Sequence, residues 1–241
     1  MPTKSPRLSR TAIGLAIFFV FVCANLSFAQ RGSFNYINKY SKKNYYFGIA
    51  LGTNFSRYRV EKSTDLIQND SIKTVNATYG PGFHIGFIAN FGLNKYFDFR
   101  LLAPTVSFAD KTLSYQMVYD GTVDKKVESV FLEFPIYFRY KSEPYNDVRL
   151  FVIAGIKYSM DLSSNSNTRQ ANEMVQLDAH DLAVELGLGF QIFFPYFILS
   201  PEVKFSYGLR NLHDQNQQLV FSSVIDKLFS RGFSISLHFE G

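Results

Sequence analysis

Residues 182–209 read LAVELGLGFQIFFPYFILSPEVKFSYGL. Taken alternately, Leu182, Val184, Leu186, Leu188, Phe190 and Ile192 fall on one side, and Ala183, Glu185, Gly187, Gly189 and Gln191 on the other. After Phe194-Pro195 the alternation resumes, with Phe197, Leu199, Val203, Phe205, Tyr207 and Leu209 against Ser200, Glu202, Lys204, Ser206 and Gly208. Successive strand side chains point to opposite faces, so the stretch predicts two strands, each with one apolar and one polar face. Pro195, which lacks a backbone donor, marks the tight turn between them. The polar face mixes ionisable groups with Gly and Ser. That composition suits the interior of a narrow barrel whose apolar face meets lipid.

The same alternation recurs along the chain. It predicts strands over 45–56, 82–91, from Tyr96, over 128–140, over 148–161 and over 232–240. With the opening pair this makes eight. The connectors alternate in length: 57–78, 109–127, 162–181 and 210–231 are long and polar, whereas 92–95, 141–147 and the turn at Phe194 are short. Outer-membrane barrels have this rhythm, with tight turns in the periplasm and long loops outside. The fold class is therefore all-β, an eight-stranded antiparallel transmembrane β-barrel over residues 45–241. A soluble β-sandwich would bury the apolar faces equally well. Its solvent faces would carry Lys and Glu at higher density than the Gly, Ala and Ser found here. Within the last long connector Val220, Phe221, Val224, Ile225 and Leu228 recur at helical spacing and predict a short amphipathic helix. Pro104, Pro135 and Pro201 fall inside strands, and each is expected at a bulge, since a closed barrel has no free edge to host them.

Upstream, Lys4, Arg7 and Arg10 precede an apolar run at 12–24 and then Ser27-Phe28-Ala29. These are the basic, apolar and cleavage regions of a secretory signal peptide, predicted over 1–29. A periplasmic N-terminal segment is expected over 30–44. The net charge of +5 falls to +2 when Lys4, Arg7 and Arg10 are removed, so nucleic acid is not an implied partner. Cys23 is the chain's one cysteine. It lacks a lipidation pattern before it, and cleavage after Ala29 leaves no thiol chemistry.

By phase, Asp98, Arg100, Glu133, Arg139, Arg149, Lys157, Glu185, Glu202 and Lys204 all point inward. Such a set reads either as a conducting or catalytic lumen or as mutually neutralising ion pairs. An eight-stranded interior is scarcely wide enough for side chains, and buried charges must find partners, so a structural plug is the expectation. His84 and His238 read as polar lumen residues, because no HxxxH or HxH spacing accompanies them. There is no GxSxG. Neither Gly80-Pro81-Gly82 nor Gly187-Leu188-Gly189 leads into a GK[ST], so neither is a phosphate loop. No cofactor and no metal site is expected. The expected partners are the lipid bilayer and other envelope proteins.

Four stretches are more specific: GLNKYFDFRLLAPTVSFADKTLSY at 92–115, VESVFLEFPIYFRYKSEPYNDVRLFVIAGIKYSMDL at 127–162, YFILSPEVKFSYGLRNL at 196–212 and ISLHFE at 235–240. They resemble the PorT-like family of outer-membrane barrels, over most of the chain from about Tyr45. The resemblance implies a role in protein export through the type IX secretion system, and in gliding motility where that occurs. It carries over no catalytic residues. The expectation is thus a non-enzymatic component of an export assembly. The alternatives are a lipid-modifying outer-membrane enzyme and a surface-structural or adhesin barrel.

Overall fold

The computed structural model describes residues 36–40, 43–63, 72–117, 121–163, 178–213 and 225–241. The signal-peptide expectation over 1–29 lies outside them. Eight strands, β1 (Tyr45–Lys62), β2 (Ile72–Gly92), β3 (Phe97–Met117), β4 (Thr122–Lys141), β5 (Val148–Asp161), β6 (His180–Phe193), β7 (Ile198–Gly208) and β8 (Ile225–Glu240), pair in sequence order. β8 closes on β1, so the sheet is a complete antiparallel barrel with every strand bonded on both sides. One turn of helix, α1 (Ile37–Tyr40), precedes β1.

The apolar faces point out. Phe47, Phe87, Leu150, Leu186, Leu188 and Phe205 are all more than half exposed, as lipid-facing side chains must be in a barrel stripped of its bilayer. Outward tyrosines flank this band. Tyr45, Tyr96, Tyr140, Tyr145 and Tyr196 lie at the short-turn end, and Tyr79, Tyr158 and Tyr207 toward the long-loop end. Girdles of aromatic residues at two levels are the expected anchors at two membrane interfaces.

The strands run further than the alternation suggested. β1 continues six residues past Ser56, β2 begins at Ile72, β3 reaches Met117, and β8 begins at Ile225. Most of the supposed excursions at 57–78 and 109–127 are therefore strand. The polarity is inverted there: Tyr58, Val75, Tyr115, Ile225 and Leu228 are buried on the inner face, while Arg57, Arg59 and Glu61 lie outward. Above the apolar band the outside is water, so the apolar side chains move to the inside. The register limits show two separate walls. β1 pairs with β2 only as far as Ser56–Gly80, but with β8 as far as Lys62–Ile225. β4 pairs with β5 only from Phe131 inward, but with β3 out to Gln116–Thr122.

The helix expected at 220–228 is corrected in part. Ile225 and Leu228 belong to β8, whereas Val220, Phe221 and Val224 lie outside the described residues. A register shift between Glu61 and Lys62 explains the misleading spacing. It inserts one residue in β8, so Ile225 and Leu228, three apart, share the inner face.

The prolines divide. Leu101 faces Ile136 while Thr105 faces Glu133, so β3 uses one residue more than β4 around Pro104, which is the expected bulge. Leu102 and Thr105 are consequently both buried. Pro135 lies on β4 opposite this shift and keeps register with Lys157 on its other side. Pro201 is not at a bulge. Its register with Leu237 is unbroken, and the ladder to β6 merely lapses between Glu202 and Leu199, where the missing donor is not needed. A further bulge sits where Tyr79 faces Lys111 and Gly82 faces Ala109, around Gly80-Pro81.

Candidate functional site

The lumen is the candidate site, and glycines give it room. Gly155 is the cross-strand partner of Tyr137, and a Cβ there would lie 2.6 Å from the Tyr137 ring. Gly189 stands in the same relation to Phe151, again at 2.6 Å. Large side chains thus lie flat across the bore over positions that have none. Ala50, Ile88, Leu102, Tyr137, Phe151 and Ile153 form a buried apolar cluster inside the barrel.

Around that cluster runs a chain of charges. Asp98 accepts hydrogen bonds from Lys141 Nζ at 2.5 Å and from Arg139 Nε at 3.0 Å. Arg139 also donates to the Tyr46 hydroxyl and lies 3.9 Å from Glu240 Oε2. Arg100 donates to Glu240 Oε1 at 2.6 Å and to Glu202 Oε2 at 3.1 Å. Its Nη1 is 2.9 Å from His238 Nδ1, and its Nε donates to Asn90 Oδ1 at 3.3 Å. A guanidinium can only donate, so His238 accepts through Nδ1 and carries its proton on Nε2. From Glu202 the chain passes to Lys204 at 3.4 Å, and from Lys204 to the Tyr137 hydroxyl at 3.4 Å. Tyr137 donates to Glu185, which pairs with Lys157 at 3.0 Å, and Lys157 reaches Glu133 at 3.2 Å.

Eight of the nine charges singled out by phase meet in this network. Arg149 does not join it by an ion pair; its guanidinium lies 6.0 Å from the centre of the Phe193 ring. Two members were not singled out. Glu240 has the inward phase of β8, but nothing in its spacing reveals that Arg100 lies across the bore. Lys141 looks like part of a turn, but β4 runs one residue past Tyr140 and so gives Lys141 the inward phase of Arg139. With them the network holds five carboxylates (Asp98, Glu133, Glu185, Glu202, Glu240) and five cations (Arg100, Arg139, Lys141, Lys157, Lys204). It is neutral overall, which is the condition under which buried charges are tolerated.

Apolar layers lie at both ends. At the short-turn end Ile37 and Tyr40 of α1 pack on Phe193 and Ile198. Three long-range hydrogen bonds hold this segment: Tyr36 N to Asp147 Oδ1 at 2.8 Å, Lys39 Nζ to the Pro195 carbonyl at 2.8 Å, and the Tyr40 hydroxyl to the Phe194 carbonyl at 3.1 Å. At the long-loop end Tyr58, Val75, Tyr115, Leu212, Ile225 and Leu228 form the buried cluster of the two walls. Below it Lys111 is sandwiched between the rings of Tyr58 and Phe131, 4.5 and 4.7 Å from their centres. A cavity of about 70 Å³ remains there, lined by Ser107, Lys111, Glu133, Lys157, Ser159 and Asp181. Small-molecule sites occupy roughly 300–1,000 Å³, so this space suits a few waters at most.

At the short-turn rim Glu143 takes a hydrogen bond from Tyr96 at 2.6 Å and pairs with Lys95 at 2.7 Å. The Lys95 bond first, then that of Tyr96, holds the Glu143 carboxyl below its usual range. Among the described residues no group of three or more His, Cys, Asp or Glu is arranged to hold a metal.

The family model for the outer membrane protein β-barrel domain matches residues 28–214. No curated protein matches the sequence significantly. Several solved barrels are similar. The outer membrane protein OprG from Pseudomonas aeruginosa is 11% identical with a TM-score of 0.45, covering 82% of this chain and 94% of its own. Neisserial surface protein A is 10% identical with a TM-score of 0.43, covering 82% and 97%. Ail, the attachment invasion locus protein of Yersinia pestis, is 12% identical with a TM-score of 0.35, covering 83% and 100%.

Proposed function

Because this chain belongs to the outer membrane protein β-barrel domain family and resides in the bacterial outer membrane, we propose that it serves there as a non-enzymatic component of a protein export assembly, that of type IX secretion. The observation that carries the reading is the filled lumen. A bore crossed by a neutral ion network and an apolar cluster, with apolar layers at both ends, leaves the rims and the outer wall as working surfaces. Such a protein acts by contact with other envelope proteins. The resemblance of residues 92–115 and 127–162 to PorT-like barrels supplies the assembly. Gene deletion tests it: proteins bearing the type IX sorting signal should accumulate in the periplasm. Their normal arrival at the surface would refute the proposal.

A surface-structural or adhesin role is the second reading. It is favoured by the two sheet walls that rise past the closed barrel, which give the long-loop end its own apolar core. Attachment lost on deletion, with export intact, would select it. A lipid-modifying enzyme is less well supported. His180, beside the rim at the start of β6, has Nδ1 within 2.7 Å of the Tyr158 hydroxyl and stacks on that ring. Among the described residues neither a serine nor a carboxylate is bonded to its imidazole.

A further inference from the structure

The outer wall carries an arrangement that the lumen account does not use. β1 and β8 place Arg57 and Arg231 directly opposite each other, one step beyond the pair Ser56–Gly232 and two beyond Phe55–Phe233. Both face outward. Like charges opposite one another on one sheet face destabilise the pairing. The neighbouring cations are matched: Arg59 has Glu61 at 2.6 Å, and Arg210 has Asp178. Among the described residues no carboxylate lies within ion-pair distance of Arg57 or Arg231.

An aromatic shelf orients the pair. The Arg57 guanidinium carbon is 4.6 Å from the centre of the Tyr79 ring. Tyr79 meets Phe233 edge-on at 6.1 Å, and Phe233 stacks on Phe55 at 4.9 Å. With one face of the guanidinium on a ring, its edge donors are left for another group, and Arg57 Nε is buried without an acceptor. Tyr207, the cross-strand partner of Arg231 on β7, is engaged by Arg59, which donates to its hydroxyl and lies 5.7 Å from its ring centre.

Height decides what that group is. Phe55, Phe233, Tyr79 and Tyr207 form the rim of the apolar band, so the two arginines stand just above it at the long-loop end. Short turns mark the periplasmic end of such barrels, which places this rim at the outer leaflet. The groups found at that level, on the lipid side of the wall, are lipid headgroups. We propose that Arg57 and Arg231 form a docking site for the phosphate of an anionic outer-leaflet lipid. A phosphate accepts two parallel N–H bonds from a guanidinium fork and neutralises both charges at once. The acyl chains of the same lipid run down over Phe55, Phe233 and Phe205, whose rings lie side by side.

The test uses the full chain in phosphatidylcholine nanodiscs doped with lipid A carrying both phosphates, or with dephosphorylated lipid A. Retained lipid is counted by native mass spectrometry. The wild type should hold the phosphorylated lipid about tenfold better or more, the scale of one charge-assisted hydrogen bond. The double substitution Arg57→Gln with Arg231→Gln should bring the ratio close to one, and Arg210→Gln should leave it unchanged. If the double variant gives no folded, heat-modifiable band, Arg231→Gln alone, at an exposed position, carries the same comparison. Equal retention of the two lipids by the wild type would overturn the proposal, as would an undiminished preference in the folded variant. Displacement of the lipid by an equal concentration of inorganic phosphate would overturn the assignment to a lipid.

Discussion

Glu185 shows how tightly single side chains are committed in this barrel. It accepts from Tyr137 and pairs with Lys157, and its side chain is only 5% exposed. Replacing it with alanine leaves Lys157 with Glu133 as its one remaining partner and deprives Tyr137 of its acceptor. Glu185→Ala should therefore cost about 3–5 kcal/mol, the penalty for breaking a buried pair, read from denaturant unfolding in vesicles. Glu185→Gln, which keeps an acceptor for Tyr137, should cost distinctly less. The same ring, together with the still closer Ile136 carbonyl oxygen, leaves no room for a Cβ at Gly155. Gly155→Val drives branched methyl groups into the Tyr137 ring and should destabilise by about 1–3 kcal/mol through overpacking. Equal stabilities for Gly155→Val and the wild type would mean that neither the ring nor the Ile136 carbonyl crowds this position. At this scale the period of two reveals which side of the wall a residue occupies, and the inward phase of Glu185 or Arg100 is plain in the sequence. It says nothing about partners across the bore. Arg100 and Glu240 are 140 residues apart, and no local pattern connects them.

The elements differ from their sequence signals wherever the surroundings change along a strand. Apolar-out, polar-in holds only where lipid is outside, so β1 and β8 look finished at Ser56 and Gly232 although they continue to Lys62 and back to Ile225. Bulges blur the signal further. One inserted residue gives Ile225 and Leu228 a spacing of three, which mimics a helix. The strand assignment has its own consequence. Leu228 is fully buried in the cluster of the long-loop end, while Lys227 points out opposite Glu61. Leu228→Ala should cost about 2–5 kcal/mol for the cavity it leaves. Lys227→Ala should stay within about 0.5 kcal/mol, as exposed substitutions do. Comparable costs at the two sites, measured by unfolding in the same vesicles, would argue against an inward Leu228. α1 left no such trace, because one helical turn of four residues shows no periodicity; its place is set by Tyr40, Phe193 and the carbonyls of Phe194 and Pro195.

At the scale of the whole molecule, we propose that a closed barrel with a filled bore works through its outer surfaces. The strand count and the closure were legible in the sequence, but the strict alternation of long and short connectors was not, since β3 ends at Met117 and β4 already begins at Thr122. The inverted upper storey was not, because it depends on where the membrane ends. Conductance of the purified barrel across a planar bilayer shows whether the bore is closed. No steady openings are expected, only small and erratic currents, because the Arg100–Glu202–Lys204 and Glu185–Lys157 contacts, the apolar cluster around Tyr137 and the layers at both ends block the path. Steady, ion-selective single-barrel currents would contradict it and make the charged lumen a pore.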